Sequence, residues 1–468
     1  MDRLWEGLEV TEMRGDPAAV EVTSVELDSR QVTPGALFVC VPGRRADGHD
    51  YAGAAAAHGA AALVVERVLP VDLPQVVVRS GTARRALAQL AGAFYGHPAR
   101  ALTMVGVTGT NGKTTVTHLV ASILDAAGRP SAVVGTLQGE RTTPEAPVVQ
   151  RILDEARRGG RSAVAMEVSS HALTEARVDG IRFDAAVFTN LGHDHLDHHG
   201  TMEAYFEAKA SLFTPVRAAL GVVNADDPWG RRLLERCTIP LVRYGLDDAD
   251  GIESGPAGTA FRWRGRRIEL ALSGAYQVGN ALAAATTASA LGVADDVVAE
   301  GLAGARRVPG RFEVVDVDAP FTVVVDYAHT PDALAAALDS ARRLVNRGRV
   351  LCVFGCGGDR DKEKRPLMAQ VATAAADLTV ITSDNPRHED PTAIVEEVAR
   401  GAAAGAEVEV EVDRGAAIAL AVGRARAGDV VLVAGKGHES VIEVGDDRIP
   451  FDDRAVAAAA VAALGGGG

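Results

Sequence analysis

The stretch MVGVTGTNGKTTVTHLV, residues 104–120, runs from an apolar, β-prone segment through a Gly-rich turn into a helix-periodic one. A strand that hands over to a helix in this way converges backbone amides and the positive end of the helix dipole on one point, where a phosphate group can be held. Lys113 is placed to reach the β- and γ-phosphates, and Thr114 offers the hydroxyl that a phosphate-bound magnesium takes. Gly109, Thr110, Asn111, Gly112 and Thr115 complete the loop. Gly106 precedes Gly112 by six positions, one more than the common phosphate loop has, so the reading rests on the flanking strand and helix.

A ligand loop at the carboxyl end of a strand implies a mostly parallel α/β sheet, and the surrounding sequence supplies the other strands. ALTMVGVT, SAVVGT, RSAVAMEV, FDAAVFTNL and AALGVVN are short apolar runs separated by helical patterns, as expected of buried parallel strands. TAFRWRGRRIELALSG is a β excursion before the helix AYQVGNALAAATTASALG, and RVPGRFE reads as a linker. From Phe321 the alternation restarts with FTVVVDYA, RVLCVFG, DLTVITS, VEVEV and DVVLVAG, which predicts a second doubly wound unit. Before Leu102, short β-like runs mix with two Ala-rich helical segments. The fold class predicted is therefore α/β in three domains: a small α/β unit over 1–97, a central phosphate-loop parallel sheet over 98–311, and a Rossmann-like unit over 312–468.

A chain of 468 residues, 47% of them hydrophobic, can bury several cores. Its net charge of −14 argues against a nucleic-acid partner. No apolar run has the length of a membrane span, and MDRLWEGLEV lacks the basic start and apolar stretch of a secretion signal, so a cytoplasmic protein without membrane insertion is expected. Cys40, Cys237, Cys352 and Cys356 are too scattered for a disulfide framework and read as buried thiols.

Two motifs follow strands of the central sheet. EVSSH places Glu167 before Ser169, Ser170 and His171, and FTNLGHDHLDHHG offers Asn190, Asp194, His195 and Asp197. Alone, such a His/Asp cluster suits zinc or a plain polar loop; beside a phosphate loop, a magnesium site for nucleotide chemistry explains it better. Lysine supplies a second signal. Among 48 Lys and Arg residues, lysine occurs only at Lys113, Lys209, Lys362, Lys364 and Lys436. The survivors mark places where an amine is needed and a guanidinium will not serve. Lys209, a short helix downstream of the His/Asp motif, can add carbon dioxide when neutral and become a carbamate, which arginine cannot do.

With GTNGKTT, MEVSSHAL, FTNLGHDHLDHHG, YFEAKASLF, YQVGNALAA, PGRFE, VDYAHTPDAL, GCGGDRDKEKRP, DNPR and GKGHE in this order, the chain resembles the Mur ligase family over nearly its whole length. The resemblance implies an ATP-dependent ligase of peptidoglycan synthesis. It would join meso-2,6-diaminopimelate to the D-glutamate γ-carboxylate of UDP-N-acetylmuramoyl-L-Ala-D-Glu through an acyl phosphate. By the same resemblance, Leu27, Ser29, Arg44, Arg45 and Ala46 contact the UDP end of the substrate, and Thr142, Thr143, Ser169, Glu175 and Arg177 its muramoyl-dipeptide. Lys113, Glu167, His195 and Lys209 are the implied catalytic set; Thr114, Glu167, His195 and Lys209, the last as N6-carboxylysine, hold Mg2+. Asn280, Arg311, Asp326 and His329 complete the ATP site. Arg360, Asp384, Asn385, Pro386, Arg387, Gly435 and Glu439 hold diaminopimelate, whose distal carboxylate Arg387 can grip. The partners implied are small molecules acting on a monomer. L-lysine is the alternative amino acid, and a nucleotide switch without chemistry the alternative of another class.

Overall fold

A computed structural model of the protein describes residues 4–43, 46–139, 141–345 and 347–465. Strands β1 (Val10–Arg14), β2 (Ser24–Glu26), β3 (Ala36–Val39), β4 (Ala62–Val65) and β5 (Gln75–Val78) form a first sheet in the order β1-β5-β4-β3-β2. Strands β2 to β5 run parallel and β1 closes the edge antiparallel to β5. Strands β3, β4 and β5 are buried at every residue because helix Ala83–Phe94 covers one face and helix Ala52–Ala57 the other.

The second sheet contains β6 (Thr103–Thr108), β7 (Ser131–Val134), β8 (Ala163–Glu167), β9 (Phe183–Phe188), β10 (Ala218–Asn224) and β11 (Leu241–Tyr244). All of its pairings are parallel, in the order β11-β10-β9-β6-β8-β7. Side chains alternate along β6. Val105 and Val107 enter the apolar layer beneath helices Lys113–Ala126 and Gln277–Ala290, whereas Met104 enters the opposite layer beneath helix Ala146–Arg158. A Cβ on Gly106 would lie 2.9 Å from the Phe183 ring on that second side. Gly106 is thus a packing glycine inside the strand, which explains why it misses the phosphate-loop spacing. The loop's own glycines are Gly109 and Gly112. A three-stranded antiparallel excursion, β12 (Ala249–Gly255), β13 (Gly258–Trp263) and β14 (Arg266–Leu270), adds Phe261, Trp263 and Ile268 to the first of these layers.

The third large sheet orders β15 (Glu313–Val314), β16 (Thr322–Asp326), β17 (Val350–Cys356), β18 (Leu378–Ser383), β19 (Val408–Val410) and β20 (Val430–Ala434) as β15-β16-β20-β17-β18-β19. Only β15 is antiparallel, and apolar layers cover both faces. A short hairpin of β21 (Val441–Val444) and β22 (Asp447–Pro450) follows. Among the described residues no helix is long and apolar enough to cross a membrane, and all four cysteines are free thiols.

One buried ion pair ties the last helix to this sheet. Arg414 reaches both carboxylate oxygens of Asp453 at 2.7 Å, with neither side chain exposed. Its remaining donors satisfy the carbonyl oxygens of Ser383 and Ala434, at the ends of β18 and β20. Removing one partner strands a charge in the core, so Asp453→Ala should cost about 3–5 kcal/mol. Urea unfolding checks this; a loss under 1 kcal/mol would mean that the pair is solvated.

Candidate active site

Strand β6 lies between β9 and β8, so the carboxyl ends of three adjacent strands deliver the phosphate loop, Glu167 and the Thr189–His195 segment to one place. The loop closes with Gly112 at φ +86, capping helix Lys113–Ala126. A Cβ there would stand 2.5 Å from the Asn280 Oδ1, so only glycine lets the loop pass. The end of β9 braces it: Asn111 donates its backbone N–H to the Asn190 side chain (2.9 Å), and Gly192 donates to the Thr110 hydroxyl (3.0 Å). A cavity of about 520 Å³ opens beside the loop, and Asn111, Gly112, Thr115, Asn280, Arg311 and Asp326 are among its walls. The structure therefore brings Asn280, Arg311 and Asp326 to the loop from far along the chain. Asn280 is buried, and its side-chain N–H donates to Gln277 (2.8 Å).

Behind this cavity lies a dense polar knot. Arg311 donates to the Thr114 hydroxyl (2.8 Å), which donates in turn to Glu167 (3.0 Å). Glu167 also accepts from the backbone N–H and the hydroxyl of Thr136 at 2.8 and 3.2 Å. Lys113 donates to the carbonyl oxygens of Gly109 and Thr110 at 2.9 and 2.8 Å. Lys209 is buried, donates to the same Gly109 carbonyl at 2.8 Å, and lies 4.5 Å above the Tyr205 ring. Burial first, and then the neighbouring Lys113, holds its amine well below the ordinary lysine range. His195, at φ +55 before a short helix, packs edge-on to Tyr205. Burial pushes its imidazole down to about 3 despite the pull of Asp194, which favours the neutral form.

These groups suit a phosphate-bound magnesium in kind: one hydroxyl, one carboxylate held in place by three donors, one imidazole of lowered pKa, and one amine of lowered pKa that could become a carbamate. A Cβ on Gly135 would lie 2.2 Å from Glu167 Oε1, so the backbone makes room for that carboxylate.

A second cavity, of about 610 Å³, opens on the other side of His195. Its walls include Arg360, Asp384, Asn385, Arg387, Gly435 and Glu439. Tyr327 borders both cavities. His329 lines this second cavity, 3.9 Å from Asp194. Pro386 lies behind the wall: its carbonyl oxygen would lie 1.9 Å from a Cβ on Gly358, and neither residue lines the cavity. Asn385 donates to Glu439 (2.9 Å) and accepts from Lys436 (2.9 Å). Thr142 also lines this space, and Thr143, Ser169 and Arg177 form a chain beside it. The Thr143 hydroxyl donates to the Glu167 carbonyl (2.9 Å) and accepts from Ser169 N–H (3.0 Å), while Arg177 donates to the Thr143 carbonyl (2.9 Å) and pairs with Glu175. Leu27, Ser29 and Ala46 belong to the first sheet's unit and line neither cavity. Arg44 and Arg45 lie outside the described residues.

Sequence reasoning missed several groups here. Lys364 is buried and contacts Asp194 at 3.3 Å, and Lys436 is buried against Asn385 and Glu439. The scarcity of lysine is the signal that finds both: Lys209, Lys364 and Lys436 are buried, Lys113 is half-buried, and only Lys362 is open. Asp194 gathers Lys364, His195 and His329 around it. Burial alone would raise its pKa, but these neighbours hold it below the usual carboxylate range. Thr136, Tyr205 and Glu443 carry no comparable signal.

Two cavities meet at Tyr327, one at a phosphate loop and one lined with charged side chains, and the sequence comparisons place this arrangement in a class of ligases. The chain belongs to the Mur ligase family: the family models described as Mur ligase family catalytic domain, Mur ligase middle domain, and Mur ligase glutamate ligase domain match residues 21–95, 107–288 and 310–437. Similar relatives are the UDP-N-acetylmuramoyl-L-alanyl-D-glutamate–2,6-diaminopimelate ligases of Geobacillus thermodenitrificans and Geobacillus kaustophilus. They are 48% and 46% identical, over 94% of this chain and 95% of each relative. A solved structure of a ligase with that name is 33% identical, covers 95% of both chains and superposes with a TM-score of 0.64.

The histidines predict how stability depends on pH. Burial pushes His329 and His438 down to about 4. Between the unfolded value near 6.5 and that folded value, the unfolded chain binds protons that the folded chain does not, so stability falls as pH drops through this window. Calorimetric melts should show Tm declining from pH 6.5 towards pH 4, less steeply in His438→Gln. A flat profile would contradict the burial of neutral imidazoles.

Proposed function

We propose that this chain is the ATP-dependent ligase that adds meso-2,6-diaminopimelate to the D-glutamate γ-carboxylate of UDP-N-acetylmuramoyl-L-Ala-D-Glu. The observation that carries the reading is the meeting of the two cavities at Tyr327, with the phosphate loop on one side and Arg360, Arg387 and Glu439 on the other. The proposed units are 1–97 for the UDP end, 98–311 for ATP and 312–468 for the amino acid.

A carboxylate is a poor electrophile. In the proposed reaction the γ-carboxylate of D-glutamate takes the γ-phosphoryl group of ATP, giving an acyl phosphate and ADP. The neutral amine of diaminopimelate then attacks the acyl carbon, the C–O bond to phosphate breaks, and the amide and inorganic phosphate leave. Lys113 and Arg311 offset the negative charge that develops on the transferring group. Magnesium, when bound, neutralises phosphate charge; Thr114, Glu167, His195 and Lys209 as N6-carboxylysine would hold it. Thr142, Thr143, Ser169, Glu175 and Arg177 hold the dipeptide acceptor, with Leu27, Ser29, Arg44, Arg45 and Ala46 at its UDP end. Contacts between the sheets, such as Arg311 to Thr114 and Lys364 to Asp194, exclude water that would otherwise hydrolyse the acyl phosphate.

The primary test is phosphate release from ATP with the UDP-dipeptide and meso-diaminopimelate, L-lysine or no amino acid. Release with diaminopimelate and roughly 10⁴-fold poorer use of lysine is the expected outcome; equal use of both would sink the role given to Arg387. Lys209→Ala should lower kcat by roughly 10²–10³-fold, partly restored by acetate or formate, and 13C-labelled bicarbonate should give a carbamate resonance only in the parent protein. Full activity of the unrescued variant would dispose of the carbamate.

A further inference from the structure

The β21–β22 hairpin is pinned to the loop that carries Arg387. Arg387 sits in the left-handed region at φ +51, where a side-chain-bearing residue needs outside support. Its backbone N–H donates to the Glu443 carbonyl (3.0 Å), and its own carbonyl accepts from Gly445 (2.7 Å). The Glu443 N–H donates in turn to the Asn385 side chain (3.0 Å). Side chains repeat the attachment: Arg387 Nε donates to Glu443 Oε2 at 2.8 Å, and Arg387 Nη1 to the Gly358 carbonyl at 2.9 Å. Both side chains line the second cavity beside Arg360.

This arrangement has a direction. A guanidinium offers five N–H donors in a fixed plane. Glu443 takes the Nε donor, so it fixes the plane of the group while the Nη2 donors remain for a ligand carboxylate. Without Glu443, Arg387 would be a flexible cation beside a second arginine, and ordering it would weaken binding. Resting on the ligase reading above, we propose that Glu443 is the positioning residue for Arg387, and so sets the preference for an amino acid bearing a distal carboxylate over one ending in an amine. L-lysine carries the same ε-ammonium as diaminopimelate but lacks the distal carboxylate, so it gains nothing from an aligned guanidinium.

The test compares the parent protein with Glu443→Ala and Glu443→Gln. The backbone bonds of residue 443 survive both changes, so the hairpin keeps its attachment. Steady-state kinetics would use meso-diaminopimelate, L-2-aminopimelate, which has the distal carboxylate but no distal amine, and L-lysine. A lost charge-assisted hydrogen bond corresponds to about tenfold or more. Glu443→Ala should therefore raise KM about tenfold for both carboxylate-bearing substrates, with kcat within about twofold. Use of lysine should be undiminished, and the KM for ATP unchanged. Glu443→Gln, whose amide oxygen still accepts from Nε, should fall between the parent and Glu443→Ala. Equal losses with all three amino acids would reveal a merely structural role and overturn the proposal, as would an unchanged preference. A loss confined to diaminopimelate would overturn it too, by showing that Glu443 grips the distal amine. Failure of the parent protein to prefer diaminopimelate would instead strike at the ligase reading itself.

Discussion

The carbonyl oxygen of Gly109 accepts from two lysines, Lys113 at 2.9 Å and Lys209 at 2.8 Å. Their amines therefore lie within about 6 Å of each other, where two like charges would repel by about 3 kcal/mol even at an effective dielectric constant of 20. Lys209 is the more deeply enclosed, and burial together with Lys113 holds its pKa well below the ordinary lysine range. That constraint orders the rest. A neutral amine is the form that can take up carbon dioxide, and the resulting carboxylate would turn a repulsive pair into an attractive one beside the phosphate loop. A lowered pKa on the more enclosed of the two eases the repulsion that a lysine on each side of the loop would otherwise bring.

The second dependence is on contacts that cross between sheets. Arg311, after the helices of the central unit, reaches Thr114; Thr330 contacts Asn111; Lys364 contacts Asp194; His193 lies 3.2 Å from Asp361. Each joins a residue near the phosphate loop to one at the start or end of an element of the third sheet. Carboxyl ends of parallel strands from two sheets thus face each other, and the chemistry sits where both sheets expose their ligand-binding ends.

Much of this was legible in sequence for a simple reason. Parallel strands buried on both faces read as short apolar runs, and every such run in the central and third units became a strand. Two edge strands did not show: β1 and β11 are partly exposed and lack the pattern. Gly106 misled as a loop residue because a packing glycine and a phosphate-loop glycine are the same letter; only the Phe183 ring distinguishes them. His329 sits next to Ala328 and Asp326, which border the nucleotide cavity, yet the turn into helix Pro331–Leu344 sends it to the other one. A single residue's step around a turn is not encoded in composition or period. The β21–β22 hairpin hides for a related reason. Its strands are short and exposed, and its importance comes from what it touches.

The scarcity of lysine carried further than its first use. A chain that writes nearly all its cations as arginine retains lysine at Lys364 and Lys436, both buried against acidic partners. Asp194 already has His195 and His329 close by, and Lys436 is enclosed by Asn385, Glu439 and Asp384. A planar guanidinium needs a wider, flatter opening than a compact ammonium and presents five donors to satisfy rather than three. Any of those extra donors left buried without a partner would cost about 1–3 kcal/mol. Packing against acidic partners at Lys364 and Lys436, and the carbamate proposed at Lys209, are two different reasons to keep an amine, and both leave the same mark on the sequence.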